Sequence, residues 1–143
     1  MLKGIPSILS PELMKVLLEM GHGDEIVLAD GNFPSASCAQ KLVRCDGHNV
    51  SEMLDAILKF FPLDSYSEFP ASLMEVVSGD HPKPVIWNEY KSIIQEYEDS
   101  FSDFEIVERY EFYKRAKHAF AIIATSEREQ YANVILKKGV IRG

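Results

Sequence analysis

A short apolar run at residues 26–29, Ile-Val-Leu-Ala, most constrains what this chain can fold into. Its length and its β-branched start are typical of a strand that is buried on both faces. Polar residues stand at the two ends of the run, with His22 and Asp24 before it and Asp30 after it. Because a rigid strand can aim polar groups at a small ligand, this segment is the first candidate for a functional site.

Helical and extended patterns alternate along the rest of the chain. Ser10 followed by Pro11 predicts a helix start, and apolar residues at helical spacing continue to Met20, where Gly21 is a suitable stop. Further helices are predicted near 50–61, 85–98 and 110–118, and further strands near 42–44, 72–77, 105–107, 120–124 and 134–136. The alternation predicts a single α/β domain over residues 1–143, in which the last two strands form an antiparallel excursion within a mixed sheet.

Composition excludes several classes of function. The 143 residues include 22 acidic and 15 basic side chains, and a net charge of −7 argues against nucleic acid or an anionic membrane as principal partner. No apolar run approaches the roughly 18 residues of a membrane span, and the N-terminal segment lacks the pattern of a signal peptide. No glycine-rich phosphate loop is present. Cys38 and Cys45 lack metal-type spacing, which predicts free thiols and a cytosolic protein.

His22 allows three interpretations from its neighbours alone. It can be a histidine at a helix C-terminus that interacts with the last carbonyls. It can instead transfer protons, since its flanking glycines permit close approach and Asp24 and Asp30 are near in sequence. The same three side chains could bind a metal ion. His48 or His81 would then complete the set, although the chain has no metal-type histidine or cysteine spacing.

Two groups of polar residues in the second half are weaker candidates. Arg109, Tyr110 and Tyr113 lie around the start of a predicted helix, and the motif Tyr131-Ala132-Asn133 precedes the last strand. Taken singly, they are more typical of an exposed arginine and of tyrosines at the edge of a core, and the second group is compatible with the capping of a loop before a strand.

Several motifs nevertheless occur together and in one order. They are SPEL at 10–13, MGHGDEI at 20–26, Asp30 with FP at 33–34, PLDSY at 62–66, EFYKRA at 111–116, and YAN at 131–133 before KKG at 137–139. In this combination the chain resembles the RbsD/FucU family of sugar-handling proteins, from residue 2 to residue 140. The resemblance is faintest over residues 79–104.

This resemblance implies a three-layer α/β fold, with a mixed sheet between helical layers, and a sugar mutarotase activity without cofactor or metal. His22 would be the proton donor, and Tyr113 would assist catalysis. The monosaccharide would contact six further residues: Asp30, Asp64, Arg109, Tyr131, Ala132 and Asn133. Family members form dimers or larger rings such as decamers with sites near subunit interfaces, so the resemblance also implies a homo-oligomer.

The motifs also indicate which sugar the chain acts on. Gly23-Asp24-Glu25 and Arg109 favour the L-fucose branch of the family over the branch of D-ribose pyranases. Ala132 favours the D-ribose branch instead, because fucose mutarotases often have glycine at this position. A D-ribose pyranase and a non-catalytic sugar-binding module are therefore the alternatives. The identity of the general base, and whether Tyr110 or Tyr113 faces the sugar, stay open at this point.

Overall fold

The computed structural model describes residues 1–79 and 83–143. The helices are α1 (Pro11–Glu19), α2 (Ser35–Cys38), α3 (Val50–Leu58), α4 (Ile86–Tyr97) and α5 (Arg109–His118). The strands are β1 (Glu25–Ala29), β2 (Leu42–Cys45), β3 (Ala71–Met74), β4 (Glu105–Val107), β5 (Ala121–Thr125) and β6 (Val134–Lys137). Within this part of the chain, no helix combines the length and the apolar character needed to cross a membrane.

All six strands belong to one mixed sheet, in the order β2-β5-β1-β6-β3-β4. β6 pairs antiparallel with β1 and β3, and every other neighbouring pair is parallel. The predicted mixed sheet is confirmed. β5 and β6 follow each other in sequence but do not pair, because β1 lies between them.

Alternate residues of β1 enter two separate cores. Ile26 and Leu28 pack in the cluster that includes α1, α3 and α4, whereas Val27 and Ala29 pack in the cluster that includes α5. All four side chains are fully buried. The predicted strand buried on both faces is confirmed, and so is the three-layer α/β architecture with helices on both sides of the sheet.

The two ends of α1 can be compared with the ends predicted from the sequence. The Ser10 Oγ accepts a 3.1 Å hydrogen bond from the Leu13 N–H, as the Ser-Pro start predicts. The helix then ends at Glu19 without a left-handed residue at Gly21, and the positive φ of 88° occurs instead at Gly23. Gly21 is thus the first residue after the C-cap Met20, where the stop was predicted, but the helix ends there without a left-handed glycine.

Other predicted boundaries differ from the structure. β3 ends at Met74 rather than at 77 because its edge partner β4 has only three residues to pair with it. α3 ends at Leu58, before the predicted 61, and the short helix α2 was not predicted. The predicted connector at 81–84 and the candidate ligand His81 fall partly or wholly outside the described residues.

The strand directions bring distant residues to one edge of the sheet. β1, β3 and β4 run the same way, so their C-terminal ends lie at the same edge, here called the carboxyl edge. β6 runs the opposite way and begins there. Asp30 directly follows β1, Asn133 directly precedes β6, and Arg109 comes two residues after the end of β4. These three residues therefore meet at the carboxyl edge. The opposite edge is called the amino edge.

Candidate functional site

A cavity of about 300 Å³ opens at the carboxyl edge. Its walls combine charged, amide and phenolic groups with a smaller apolar surface. The lining residues are Asp30, Asn32, Phe33, Met74, Val77, Arg109, Tyr113, Gln130, Tyr131 and Asn133. Five of the residues predicted for the site are thus brought together, from segments that are far apart in sequence.

Asp30 and Asn133 form the floor of this cavity. Both side chains are buried, and the Asn133 Oδ1 accepts a 2.7 Å hydrogen bond from the Asp30 backbone N–H. Since that partner is a donor, the amide oxygen must face it, and the NH₂ group of Asn133 points away from it as a donor. The Asp30 carboxylate accepts from the backbone N–H groups of Asn32 at 3.0 Å and Ala132 at 3.4 Å.

The protonation of Asp30 reflects a balance of burial and hydrogen bonding. Burial disfavours the charged carboxylate and raises its pKa above the ordinary value of 3.8. Backbone N–H donors from Asn32, Ala132 and Phe33 oppose this shift, and the nearby carboxylate of Glu127 adds to it. A carboxyl group whose pKa is raised in a cavity is suited to accept or return a proton.

One wall of the cavity is made by the first turn of α5. Arg109 Nε lies 3.4 Å from the Tyr113 hydroxyl, and its guanidinium lies 5.5 Å from the centre of that ring. The Tyr113 ring also packs on Phe33, at 5.5 Å between centroids. Tyr110 is 73% exposed and does not line the cavity, so Tyr113 is the tyrosine of this helix that faces it.

Tyr131 adopts an unusual backbone conformation. Its φ of 56° lies in the left-handed region, which costs a non-glycine residue about 1–2 kcal/mol. Its hydroxyl accepts a 3.4 Å hydrogen bond from the Val77 N–H across the cavity mouth. The next residue, Ala132, is fully buried and does not line the cavity, so its contribution to the site comes through its backbone.

His22 and Asp64 form a pair at the amino edge. His22 Nε2 lies 3.0 Å from Asp64 Oδ1, with the imidazole 45% exposed and the carboxylate buried. Burial alone would raise the pKa of Asp64, but hydrogen bonds from Ser67, His22 and the Tyr66 N–H outweigh it and lower that pKa to about 2. Asp64 is therefore an acceptor at neutral pH, and His22 Nε2–H donates to it.

The two groups of candidate residues are separated within one chain. His22 lies before β1 and Asp30 directly after it, and the five-residue strand alone spans roughly 16 Å. The metal hypothesis that combines His22, Asp24 and Asp30 therefore requires side chains from opposite edges of the sheet. Among residues 1–79 and 83–143, no three histidine, cysteine or acidic side chains lie close enough together to hold a metal ion.

Comparison with known proteins agrees with this architecture. The model of the RbsD / FucU transport protein family matches residues 3–141. The chain belongs to the RbsD/FucU family. Within that family, the fucose mutarotase of Mus musculus is 49% identical, over 98% of this chain and 95% of its own length.

Solved structures of similar proteins have the same fold. A fucose mutarotase from Streptococcus pneumoniae, crystallised in complex with L-fucose, is 54% identical with a TM-score of 0.94, over 99% of this chain and all of that one. The RbsD of Bacillus subtilis, complexed with D-ribose, is 21% identical with a TM-score of 0.71, over 94% of this chain and 95% of its own, and shares the fold.

Some residues at the cavity were missed from the sequence. Met74, Val77 and Gln130 line it but belong to no motif. For Met74 and Val77, only the strand order shows that the end of β3 lies beside the start of β6. Glu127 was also missed. Its buried carboxylate accepts hydrogen bonds from the backbone N–H groups of Val50, Arg128 and Glu129. Nothing in the polar stretch 125–133, which also contains Glu129, indicates that one of its acidic residues is buried.

Proposed function

We propose that this chain is an L-fucose mutarotase, an isomerase that interconverts the α- and β-anomers of the sugar, with residues 1–143 acting as one domain. The observation that carries the proposal is the carboxyl-edge cavity, in which Asp30, Arg109 and Asn133 present hydroxyl-binding groups. The choice of L-fucose is supported by the relatives of this chain, because proteins named fucose mutarotase match it over nearly its full length.

The reaction suits the residue types of the two edges. Opening the hemiacetal ring needs an acid at the ring oxygen and a base at the anomeric hydroxyl, and reclosure reverses these roles. Because mutarotation already proceeds slowly in water, positioned acid–base groups are sufficient, and each contributes roughly 10²–10⁴-fold. In the proposed enzyme His22 is the proton donor, Tyr113 assists catalysis, and Arg109, Tyr131 and Asn133 hold sugar hydroxyls. Asp30 anchors a hydroxyl as well.

We infer further that each site is assembled from two protomers of a homo-oligomer. His22 and Asp64 lie at one edge of the sheet and the cavity lies at the other, so a single chain does not present both groups to one sugar. Head-to-tail contact between copies would bring the amino edge of one protomer to the carboxyl edge of the next. In this arrangement Asp64 orients the imidazole of His22 toward the partner's cavity.

The substrate preference and location follow from smaller observations. Ala132, the residue that pointed toward D-ribose, has its methyl group buried outside the cavity, so an exchange of alanine and glycine there does not change the surface that meets the sugar. The two cysteines carry free thiols, which supports a reducing compartment such as the cytosol.

The test is magnetisation-transfer NMR on the anomers of L-fucose. The protein should accelerate anomer exchange well beyond the rate in buffer, and His22→Ala should reduce that acceleration about 10²-fold or more. His48→Ala is the matched control, because His48 also pairs with a carboxylate, that of Glu52 at 2.7 Å, but on the exposed start of α3. Its exchange rate should equal that of the wild type.

Further arms separate the alternatives. A D-ribose pyranase would accelerate pyranose–furanose exchange of D-ribose more than anomer exchange of L-fucose in the same experiment. A non-catalytic module would bind L-fucose in calorimetry and leave the exchange rate at the buffer value. Either result would overturn the proposed activity.

A further inference from the structure

We propose that Trp87 and Tyr90, two aromatic residues one turn apart on α4, are positioning residues. They fix the backbone conformation of residues 131–133 from the side of that segment that faces away from the cavity. Neither lines the cavity. The inference rests on the proposed function only in naming the ligand of that cavity as a sugar. No motif in the sequence pointed to these residues, and they lie within the stretch where the resemblance was faintest.

The contacts are made to two consecutive carbonyl groups. Trp87 Nε1 donates a 2.7 Å hydrogen bond to the Tyr131 carbonyl, and the Tyr90 hydroxyl donates a 2.8 Å hydrogen bond to the Ala132 carbonyl. Tyr90 is fully buried and Trp87 nearly so. Hydrogen bonds in such surroundings are costly to lose, because the abandoned carbonyl has no water to replace the donor.

The segment needs to be held because its backbone is strained. Tyr131 is the non-glycine residue with positive φ in the described chain, and a relaxed tyrosine would leave that conformation. Relaxation would swing its side chain out of the cavity wall. It would also displace the Ala132 N–H and the Asn133 Oδ1, both of which bind Asp30. The two α4 donors therefore act on the cavity through these three residues.

Burial also makes the Tyr90 contact insensitive to pH. The pKa of its hydroxyl is raised far above the ordinary value of 10 by burial, with nearby carboxylates, including Glu127 and Asp30, adding to the shift. The hydroxyl therefore remains protonated, and remains a donor, wherever the protein is folded.

The experiment compares three single substitutions on the same helix. Trp87→Phe and Tyr90→Phe remove the donors and keep an aromatic ring. Tyr97→Phe is the matched control, because it removes a hydroxyl that donates to Asp55 at 2.8 Å on the exposed side of the helix. Amide hydrogen exchange of residues 132 and 133 is measured without sugar, and the KM and kcat for L-fucose mutarotation are measured on folded protein below the melting temperature.

The two donor variants should exchange these amides about tenfold faster than the control and raise KM about three- to tenfold, with kcat near the wild-type value. The proposal is overturned if both variants match Tyr97→Phe in exchange and in KM. It is also overturned if kcat falls while KM stays constant, since that pattern places the effect on the chemical step. The exchange measurement needs no sugar and therefore tests the positioning role even if the cavity takes a ligand other than L-fucose.

Discussion

Asn133 accepts a 2.7 Å hydrogen bond from the backbone of Asp30, although the two residues are 103 positions apart in the chain. The bond joins the C-terminal end of β1 to the N-terminal end of β6, its antiparallel neighbour. It holds the Asp30 carboxyl in a buried position at the floor of the cavity. This position carries a cost in stability, because burial raises the pKa of Asp30.

Asp30→Asn should stabilise the fold at neutral pH and weaken sugar binding. A raised pKa means that the folded state binds the proton more tightly, so the stability contributed by the protonated carboxyl is complete below 3.8 and lost as pH rises through the folded pKa. The melting temperature of the variant relative to wild type should therefore be higher at pH 7 than at pH 3.5. L-fucose affinity at pH 7 should fall about tenfold or more. A difference in melting temperature that does not change with pH would contradict the assignment.

Asp64→Asn should show the opposite dependence on pH. The pKa of Asp64 is lowered to about 2, so its stabilising contribution is present above 3.8 and disappears as pH falls toward 2. We expect the free energy of unfolding to fall by about 1–2 kcal/mol at pH 7. This is less than the pKa shift of Asp64 alone would give, because water screens its interaction with the half-exposed His22. Urea unfolding at pH 7 and pH 2 measures it. Asp46→Asn, in the exposed pair with Arg44, serves as control and should change stability little at either pH.

Mixing two impaired variants should restore activity at low L-fucose concentration if each site uses two protomers. His22→Ala lacks the proton donor at the amino edge, and Asp30→Asn lacks the carboxylate at the carboxyl edge. After joint refolding in equal amounts, about a quarter of head-to-tail interfaces would pair the two intact edges. The NMR exchange assay should then recover a corresponding fraction of wild-type activity. Native mass spectrometry checks that mixed oligomers form. If they form but are no more active than the two variants alone, the two edges do not share a site.

Gly139→Ala should disrupt the His22–Asp64 pair from a distance. A Cβ at position 139 would overlap the backbone of Leu63 and approach the Asp64 Cα to 2.9 Å, so the segment that carries Asp64 must move. We expect a loss of about 1–3 kcal/mol in unfolding free energy and a slower anomer exchange. Gly21→Ala is the control. The added Cβ at position 21 would make an ordinary 3.7 Å contact with the Asp24 carboxylate. If Gly21→Ala lost as much stability as Gly139→Ala, steric overlap would not explain the effect at position 139.

The elements with strong local signals were predictable. The apolar run of β1 and the Ser-Pro start of α1 are determined by side chains near in sequence, so pattern and capping rules identify them. Boundaries that depend on a partner were not. β3 stops at Met74 because β4 offers three residues to pair with, and the length of a partner strand is not encoded in β3 itself.

The sequence by itself determined the α/β class, the family resemblance and the candidate residues, because residue types and short spacings carry that information. Only the tertiary structure decided which of those residues meet. Asp30, Arg109 and Asn133 share one cavity because β6 runs against β1 and β3, whereas His22 lies with Asp64 at the other edge. Strand order and direction arise from packing the whole chain at once. His22 and Asp30, with seven residues between them, are therefore neighbours in sequence but lie at opposite ends of a buried strand in space.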